Sequence, residues 1–402
     1  MALAKFNLEK FYQYLLISLA FLLPITVFGA NLVIVIIVLL WLFSGNYKEK
    51  YLQIVSSKLL VASIIFFLLH VVGLIWTEDL RWGFEIVHKM WYFLLLFPVL
   101  SSIVDKRYTK YYVTAFLTAI TLTEIISYLV WFEIIGRFKN AIVYDPTPFM
   151  SHISYNPILA FAIYLVCHEI FFNKTLSKFK FFWFSFFALT MTFNMFITGG
   201  RAGQVMFFAM LVILIFQFFG KQRAKALLLI SIVIPLIFIT AYSTSPLFKD
   251  RVNDAIQDIV QYDNSKISAV GYRINFAQNS WELIKKNPFL GVGTGDFPSE
   301  YKKINQLRSP LLPNATNPHN MYVLVLAQLG IVGLISMLSI FYYQIKLSFL
   351  EENKFFRDVG ITLPLLFLVI MLSDSYLLGH FTTLMYVFFS SFIYKGFDCI
   401  RY

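Results

Sequence analysis

Apolar runs long enough to cross a lipid bilayer recur along this chain from end to end, and that feature alone removes most folds from consideration. A hydrocarbon core about 30 Å thick takes about 20 helical residues to cross, and within it each backbone N–H and C=O must find a partner inside the protein. About twelve stretches meet that length: residues 11–28, 30–44, 58–76, 89–104, 109–135, 154–172, 179–197, 201–219, 225–242, 320–345, 358–373 and 377–394. The expected fold is therefore all-α, a polytopic membrane protein with about 12 transmembrane helices. Composition agrees, since only 14% of the 402 residues are charged, against about a quarter in soluble domains. The 45 Phe and 23 Tyr read as aromatics facing lipid and the membrane interface.

Residues 11–28, behind Lys5 and Lys10 and ending in Gly29-Ala30-Asn31, have the outline of a secretory signal peptide. A second apolar run, residues 32–43, follows at once, so the two read as a transmembrane hairpin that stays with the chain. Cys167 and Cys399 both lie in or beside apolar segments, which leaves no disulfide framework and no thiolate metal site.

A balance of 33 Lys and Arg against 22 Asp and Glu gives a net charge of +11. In a soluble chain this excess would suggest nucleic acid. Here the basic residues sit in short connections between apolar runs, where they act as topology signals, and no nucleic-acid partner is expected. With a cytoplasmic N-terminus, Lys48, Lys50 and Lys58, then Lys106, Arg107 and Lys110, Lys174, Lys178 and Lys180, Lys221, Arg223 and Lys225, Lys346, Lys354 and Arg357, and finally Lys395 and Arg401 all fall inside. Both termini are then cytoplasmic. The expected organisation is nine helices over residues 1–242, an outer loop subdomain over 243–318, and three helices over 319–402.

Within the outer segment, Leu247, Val252, Ile256 and Ile259 or Val260 give residues 246–262 a helical period, ending at Tyr262. Residues 272–286 read as a second helix, stopped by Asn287-Pro288 and Gly291. Residues 291–318, rich in Gly and Pro, read as loop.

Four features of the sequence carry chemistry. Asn317-Pro318-His319-Asn320 brings an imidazole to the membrane rim, where an ionisable group is a functional candidate. Asn317 as N-cap and Pro318 at the first helical position would put His319 in the first turn of the tenth span. The positive helix end would there disfavour a second positive charge, predicting a neutral ring able to accept a proton. An interfacial His bonded to loop backbone is the structural alternative.

Thr198-Gly199-Gly200-Arg201-Ala202-Gly203 opens the eighth span from the outer side with free N–H groups, small residues and a guanidinium, a set suited to phosphate or pyrophosphate. An Arg snorkelling to the interface is the alternative. Arg273, on the second outer helix near Trp281, is either a further anion ligand or an ordinary solvated Arg. Gly291-Val292-Gly293-Thr294-Gly295 lacks the spacing of a dinucleotide loop and reads as a flexible segment that lets backbone approach a ligand or another helix. Arg137, His152, Asp374 and His380, at outer span ends or loops, are weaker candidates, and His70 and His88 weaker still. No metal or cofactor is expected, because there is no HExxH, no paired carboxylates at helical spacing and no acidic pair in an outer loop.

Taken together, the span number, the one long outer loop, the Gly-Gly-Arg turn, the run Arg273…Trp281…Asn287-Pro288…Gly291…Gly293…Gly295…Phe297 and the Asn317-Pro318-His319-Asn320 turn resemble the O-antigen ligase (WaaL) and Wzy polymerase superfamily. The resemblance implies a GT-C-like, metal-independent glycosyltransferase of the bacterial inner membrane with its active site on the periplasmic side. It implies an undecaprenyl-diphosphate-linked glycan as donor and, in the ligase branch, lipid A-core as acceptor, giving lipopolysaccharide. Carried over by motif, Arg201 and Arg273 would hold the diphosphate and His319 would activate or orient the acceptor hydroxyl. Gly199, Gly200, Asn320, Gly293 and Gly295 would support them. The same superfamily contains repeat-unit polymerases, which make O-antigen or exopolysaccharide, and protein O-oligosaccharyltransferases, which this sequence does not separate from ligases. A transporter or flippase is the reading from outside it, opposed by the lack of an internal inverted repeat.

Overall fold

The computed structural model describes residues 7–260 and 269–396, and within them the regular elements are helices, with two isolated bridges, Phe138 to Ala141 and Ile142 to Asp145, and no sheet. Tyr262, Cys399 and Arg401 lie outside the described residues. The chain opens with a hairpin of α1 (Leu8–Leu22) and α2 (Val27–Phe43), its turn fixed by Thr26, whose hydroxyl accepts from the Gly29 N–H. The short α3 (Tyr47–Ser56) leaves α2 at 115°. Then α4 (Lys58–Val72) tightens into a 3-10 turn, and α5 (Leu80–Lys89) runs through a π-helical turn, Tyr92–Leu96, into α6 (Phe97–Ile103). Five long helices follow: α7 (Thr109–Trp131), α8 (His152–Phe172), α9 (Lys178–Ile197), α10 (Arg201–Phe219) and α11 (Arg223–Thr244). The outer segment folds as α12 (Pro246–Val260), α13 (Ala269–Lys286) and α14 (Phe297–Arg308). The chain returns through α15 (Met321–Leu350), α16 (Lys354–Ile370) and α17 (His380–Ile393).

Among the described residues, eight helical runs are long and apolar enough to cross a membrane, or nine if the bent pair α2–α3 counts as one span. Of the remaining stretches expected to cross, α1, α16 and α17 have 15, 17 and 14 residues. Between α16 and α17, turns over residues 371–379 bury Met371, Tyr376 and Leu377 and leave Leu372 exposed.

Burial ranks the helices. In α8 every residue from Tyr155 to Val166 is buried, so it shows no apolar stripe and serves as the central post, whereas α11 buries only Ala226 and Ala241 and faces outward. The helix α10 lies close against α8 because Gly203 carries no Cβ; one placed there would stand 2.2 Å from the Asn156 Cβ.

Two expectations are corrected. Residues 291–318 are not loop throughout, for α14 occupies their middle, with Pro298 in its first turn and Phe297, Tyr301 and Ile304 buried at helical spacing. Asn317 does not cap the following helix. Asn320 does, its side chain accepting from the Val323 N–H at 3.1 Å, so His319 lies just outside α15 with φ of 51°. The rigid φ of Pro318 suits a helix start, but the Asn317 carboxamide is taken by the His319 N–H at 3.0 Å and the Ser375 hydroxyl at 2.9 Å, which closes a local turn instead.

Candidate functional site

The loop before α15 and the turns after α16 meet at one end of the bundle. The Met321 N–H donates to the Met371 carbonyl at 2.9 Å and the Asn320 side chain to the Leu372 carbonyl at 3.1 Å. These bonds set His319 beside Asp374, with Nδ1 3.3 Å from Oδ1, while its ring stacks on Phe276 of α13 at a centroid separation of 6.0 Å. An ionised carboxylate only accepts, so Nδ1 is the nitrogen that carries hydrogen in this pair and Nε2 is left with a lone pair. The His319 side chain is 44% exposed, open enough for a substrate to reach. Helix-end electrostatics, the sequence basis for a proton-accepting His319, does not apply to a residue outside the helix; the Asp374 contact takes its place.

Arginines gather at the same end. Arg201 is the first residue of α10, and the like charges acting on it are Arg251 of α12 and Arg273 of α13, with Asp258 and Asp254 opposing them. Arg273 also acts on Tyr376, as does Asp374, which ties the arginine group to the His319 loop. Burial pushes the Tyr376 hydroxyl up to about 12, so it stays protonated and can donate. Among the described residues the Arg251 Nε is buried without a hydrogen-bond partner, a donor left unused.

The helix α13 is held in place by carboxamides. Asn279 donates to Asn305 of α14 at 3.1 Å and to Asn275 at 3.2 Å, and Asn275 reaches Ser309 at 2.6 Å. With that face fastened to α14, Arg273 is left exposed.

The Gly-Gly-Arg turn divides its work. A Cβ at Gly199 would meet the Arg251 Nη2 and the His152 Nδ1 at 3.6 Å each, so this glycine borders the charged groups. His152 is itself paired with Asp145 at 2.7 Å, and Asp145 accepts from the Gly199 N–H at 3.4 Å. Gly200 faces inward, where a Cβ would stand 2.7 Å from the Asn156 Nδ2, so its smallness serves the α8 contact.

Gly293 and Gly295 likewise serve helix approach. A Cβ at Gly295 would lie 2.2 Å from the Asp79 carbonyl oxygen, and one at Gly293 2.6 Å from the Thr77 hydroxyl. The structure does not bring His380, Arg137, His70 or His88 into the His319 pair: His380 bonds Tyr92 at 2.5 Å, Arg137 bonds the Lys139 carbonyl, His70 is enclosed beside the Phe66 carbonyl and His88 is exposed. Among the described residues no group of three or more His, Cys, Asp or Glu side chains is placed to hold a metal ion.

Sequence reasoning singled out Arg201, Arg273 and His319, ranked Asp374 and His152 low, and missed Arg251. The available signal was that Arg251, Asp254 and Asp258 stand at i, i+3 and i+7 on the charged face of an amphipathic helix. As a whole the site offers a cluster of guanidiniums for an anion and, beside it, an oriented imidazole for a proton.

Residues 186–338 match the Wzy_C family model, described as O-antigen ligase. That stretch contains Arg201, Arg251, Arg273 and His319, and leaves Asp374 outside. No curated protein matches the chain.

Proposed function

From the premise that over residues 186–338 this chain belongs to the O-antigen ligase family, we propose that it is a metal-independent glycosyltransferase that moves glycan from undecaprenyl diphosphate to lipid A-core at the periplasmic face of the inner membrane. All twelve apolar stretches cross the membrane in this reading, in a GT-C-like arrangement with residues 243–318 as the periplasmic subdomain. The observation that carries the proposal is the meeting of Arg201, Arg251 and Arg273 with the His319–Asp374 pair at one end of the bundle.

The chemistry follows from those groups. An acceptor hydroxyl oxygen attacks the anomeric carbon of the donor and forms the new glycosidic bond. The bond from that carbon to the diphosphate oxygen breaks, and the electron pair leaves with the polyprenyl diphosphate. The hydroxyl proton passes to the His319 Nε2, while Asp374 holds the ring by Nδ1 and steadies the imidazolium that forms. Negative charge growing on the leaving diphosphate is met by guanidiniums fixed before the reaction starts, so the charge is stabilised without reorganisation.

The test is a gel of surface glycolipids from a deletion strain. A lost ligase leaves unsubstituted core together with full-length polyprenyl-linked glycan. Core bearing a single repeat would instead mean the polymerase reaction, unchanged lipopolysaccharide with unglycosylated protein would mean transfer to protein, and glycan trapped on the cytoplasmic side would mean a flippase.

A further inference from the structure

At the end of the bundle opposite the arginines, where α7, α9 and α16 begin, lies a cavity of about 680 Å³. The 20 residues of α9 separate it from the Gly-Gly-Arg turn. Four cations border the cavity. Lys106 pairs with Glu351 at 3.0 Å and Arg107 with Asp105 at 2.6 Å, but Lys110 and Lys180 are exposed and have no ion pair among the described residues. The acidic residue of the lining, Glu169, is engaged by Asn173. None of the three helices that start here has an acidic residue in its first turn, so their positive ends add to the lysines.

The apolar lining is arranged in register with those charges. Lys110, Val113 and Leu117 stand at i, i+3 and i+7 on α7, and Lys180 and Phe184 at i and i+4 on α9. Residues so spaced share a helix face, so each unpaired cation heads an apolar column that runs toward the middle of the bundle. A free anion would account for the lysines and leave the columns unexplained.

We propose that this cavity binds an anionic glycerophospholipid of the adjoining leaflet, with its phosphate between Lys110 and Lys180 and an acyl chain along Val113, Leu117 and Phe184. Basic pockets between transmembrane helices take lipid head groups by this combination of charge and greasy depth. The site is separate from the transfer chemistry and does not depend on that assignment.

The experiment is native mass spectrometry of the full chain titrated with phosphatidylglycerol or phosphatidylcholine. One tightly retained phosphatidylglycerol and no comparable phosphatidylcholine is the expected result. The double variant Lys110→Gln/Lys180→Gln should bind about thirtyfold more weakly, at about fivefold for each lysine near a membrane surface. Val113→Trp, which keeps the charges and fills the apolar column, should lose retention as well. Lys174→Gln/Lys178→Gln changes the same connection outside the cavity lining and should bind like the parent. Equal retention of both lipids, equal loss in the Lys174/Lys178 variant, or reproduction of the effect by inorganic phosphate alone would each overturn the proposal.

Discussion

His319 has the left-handed backbone that few non-glycine residues adopt, and it does so between a proline and a helix cap. That conformation lets one side chain touch both α13, through Phe276, and the turns after α16, through Asp374. With His319 as base and Asp374 as its holder, His319→Ala should lower transfer by about 10² to 10⁴ while donor binding persists. Asp374→Asn should preserve folding and lower the rate, because an amide can turn its N–H toward Nδ1 and disturb the tautomer. Both are read as glycan transfer by purified protein from a polyprenyl-diphosphate donor, with donor binding followed separately. Loss of donor binding in His319→Ala would place the residue in the pocket without a proton-transfer role. Arg201→Lys and Arg273→Lys keep the charge but lose the planar fork, and each should lose most transfer with little change in expression; near-normal transfer by both would remove the diphosphate-clamp role. His319 and Arg201 stood out in the sequence because each sits in a local pattern of Pro, Gly or a helix end, whereas Arg273 stood out only through the run to Phe297 that resembles the superfamily. Asp374 was not ranked with them, because its partner lies 55 residues away and only folding brings the two together.

At the scale of elements, the break in α15 explains the segment from Gly291 to Gly295, read from sequence as letting backbone approach a ligand or another helix: it approaches a helix. Gly330 leaves the helix at φ 62° and ψ −160°, which frees backbone groups in the middle of an apolar helix. The segment after α13 satisfies them: the Val292 and Gly293 N–H groups donate to the carbonyls of Ala327 and Gln328 at 2.9 and 3.0 Å, and the Ile331 N–H donates to the Pro288 carbonyl at 2.9 Å. Two backbones come this close only without side chains, since a Cβ at Gly330 would stand 2.2 Å from the Phe289 carbonyl group and one at Gly291 2.3 Å from the Gln328 carbonyl carbon. Gly330→Ala should therefore lower thermal stability well beyond Gly45→Ala, which has a positive φ with nothing within 4 Å and so carries only the backbone cost of about 1 to 2 kcal/mol. Equal melting shifts in detergent would mean that the contact between this segment and α15 yields easily. Sequence pattern located α12 and α13 because their apolar period is clear. It missed α14 because flanking Gly and Pro outweighed a Pro298 and Glu300 start and the Phe297, Tyr301, Ile304 face, whose partners lie on α13.

For the whole molecule, apolar length and loop charge made the all-helical plan legible, while helix ends were not, because the stop of α16 and the start of α17 are set by turns that bond the loop before α15, a contact only folding makes. Loop charge makes a further claim that packing supports: Lys395 bonds the carbonyl of Ser102, and Lys106 pairs with Glu351, so basic connections far apart in sequence gather at one end. The positive-inside rule predicts that this end is cytoplasmic and the arginine end periplasmic. The prediction is tested by single cysteines in a background with Cys167 and Cys399 replaced. Leu307 is 86% exposed on α14, so Leu307→Cys should react in intact spheroplasts with a reagent that cannot cross the membrane. Lys174→Cys, in the connection before α9, should react only after the membrane is opened. The reverse pattern would put the His319 and arginine groups in the cytoplasm, facing nucleotide-linked sugars in place of an exported lipid-linked glycan, and the proposed donor would fall with the topology. Labelling of both sites from the same side would mean instead that an odd number of spans had been miscounted between them, which the short helices α1 and α2 cannot supply because both precede Lys174. The error would then lie within α9, α10 or α11, the helices that carry the chain from one site to the other.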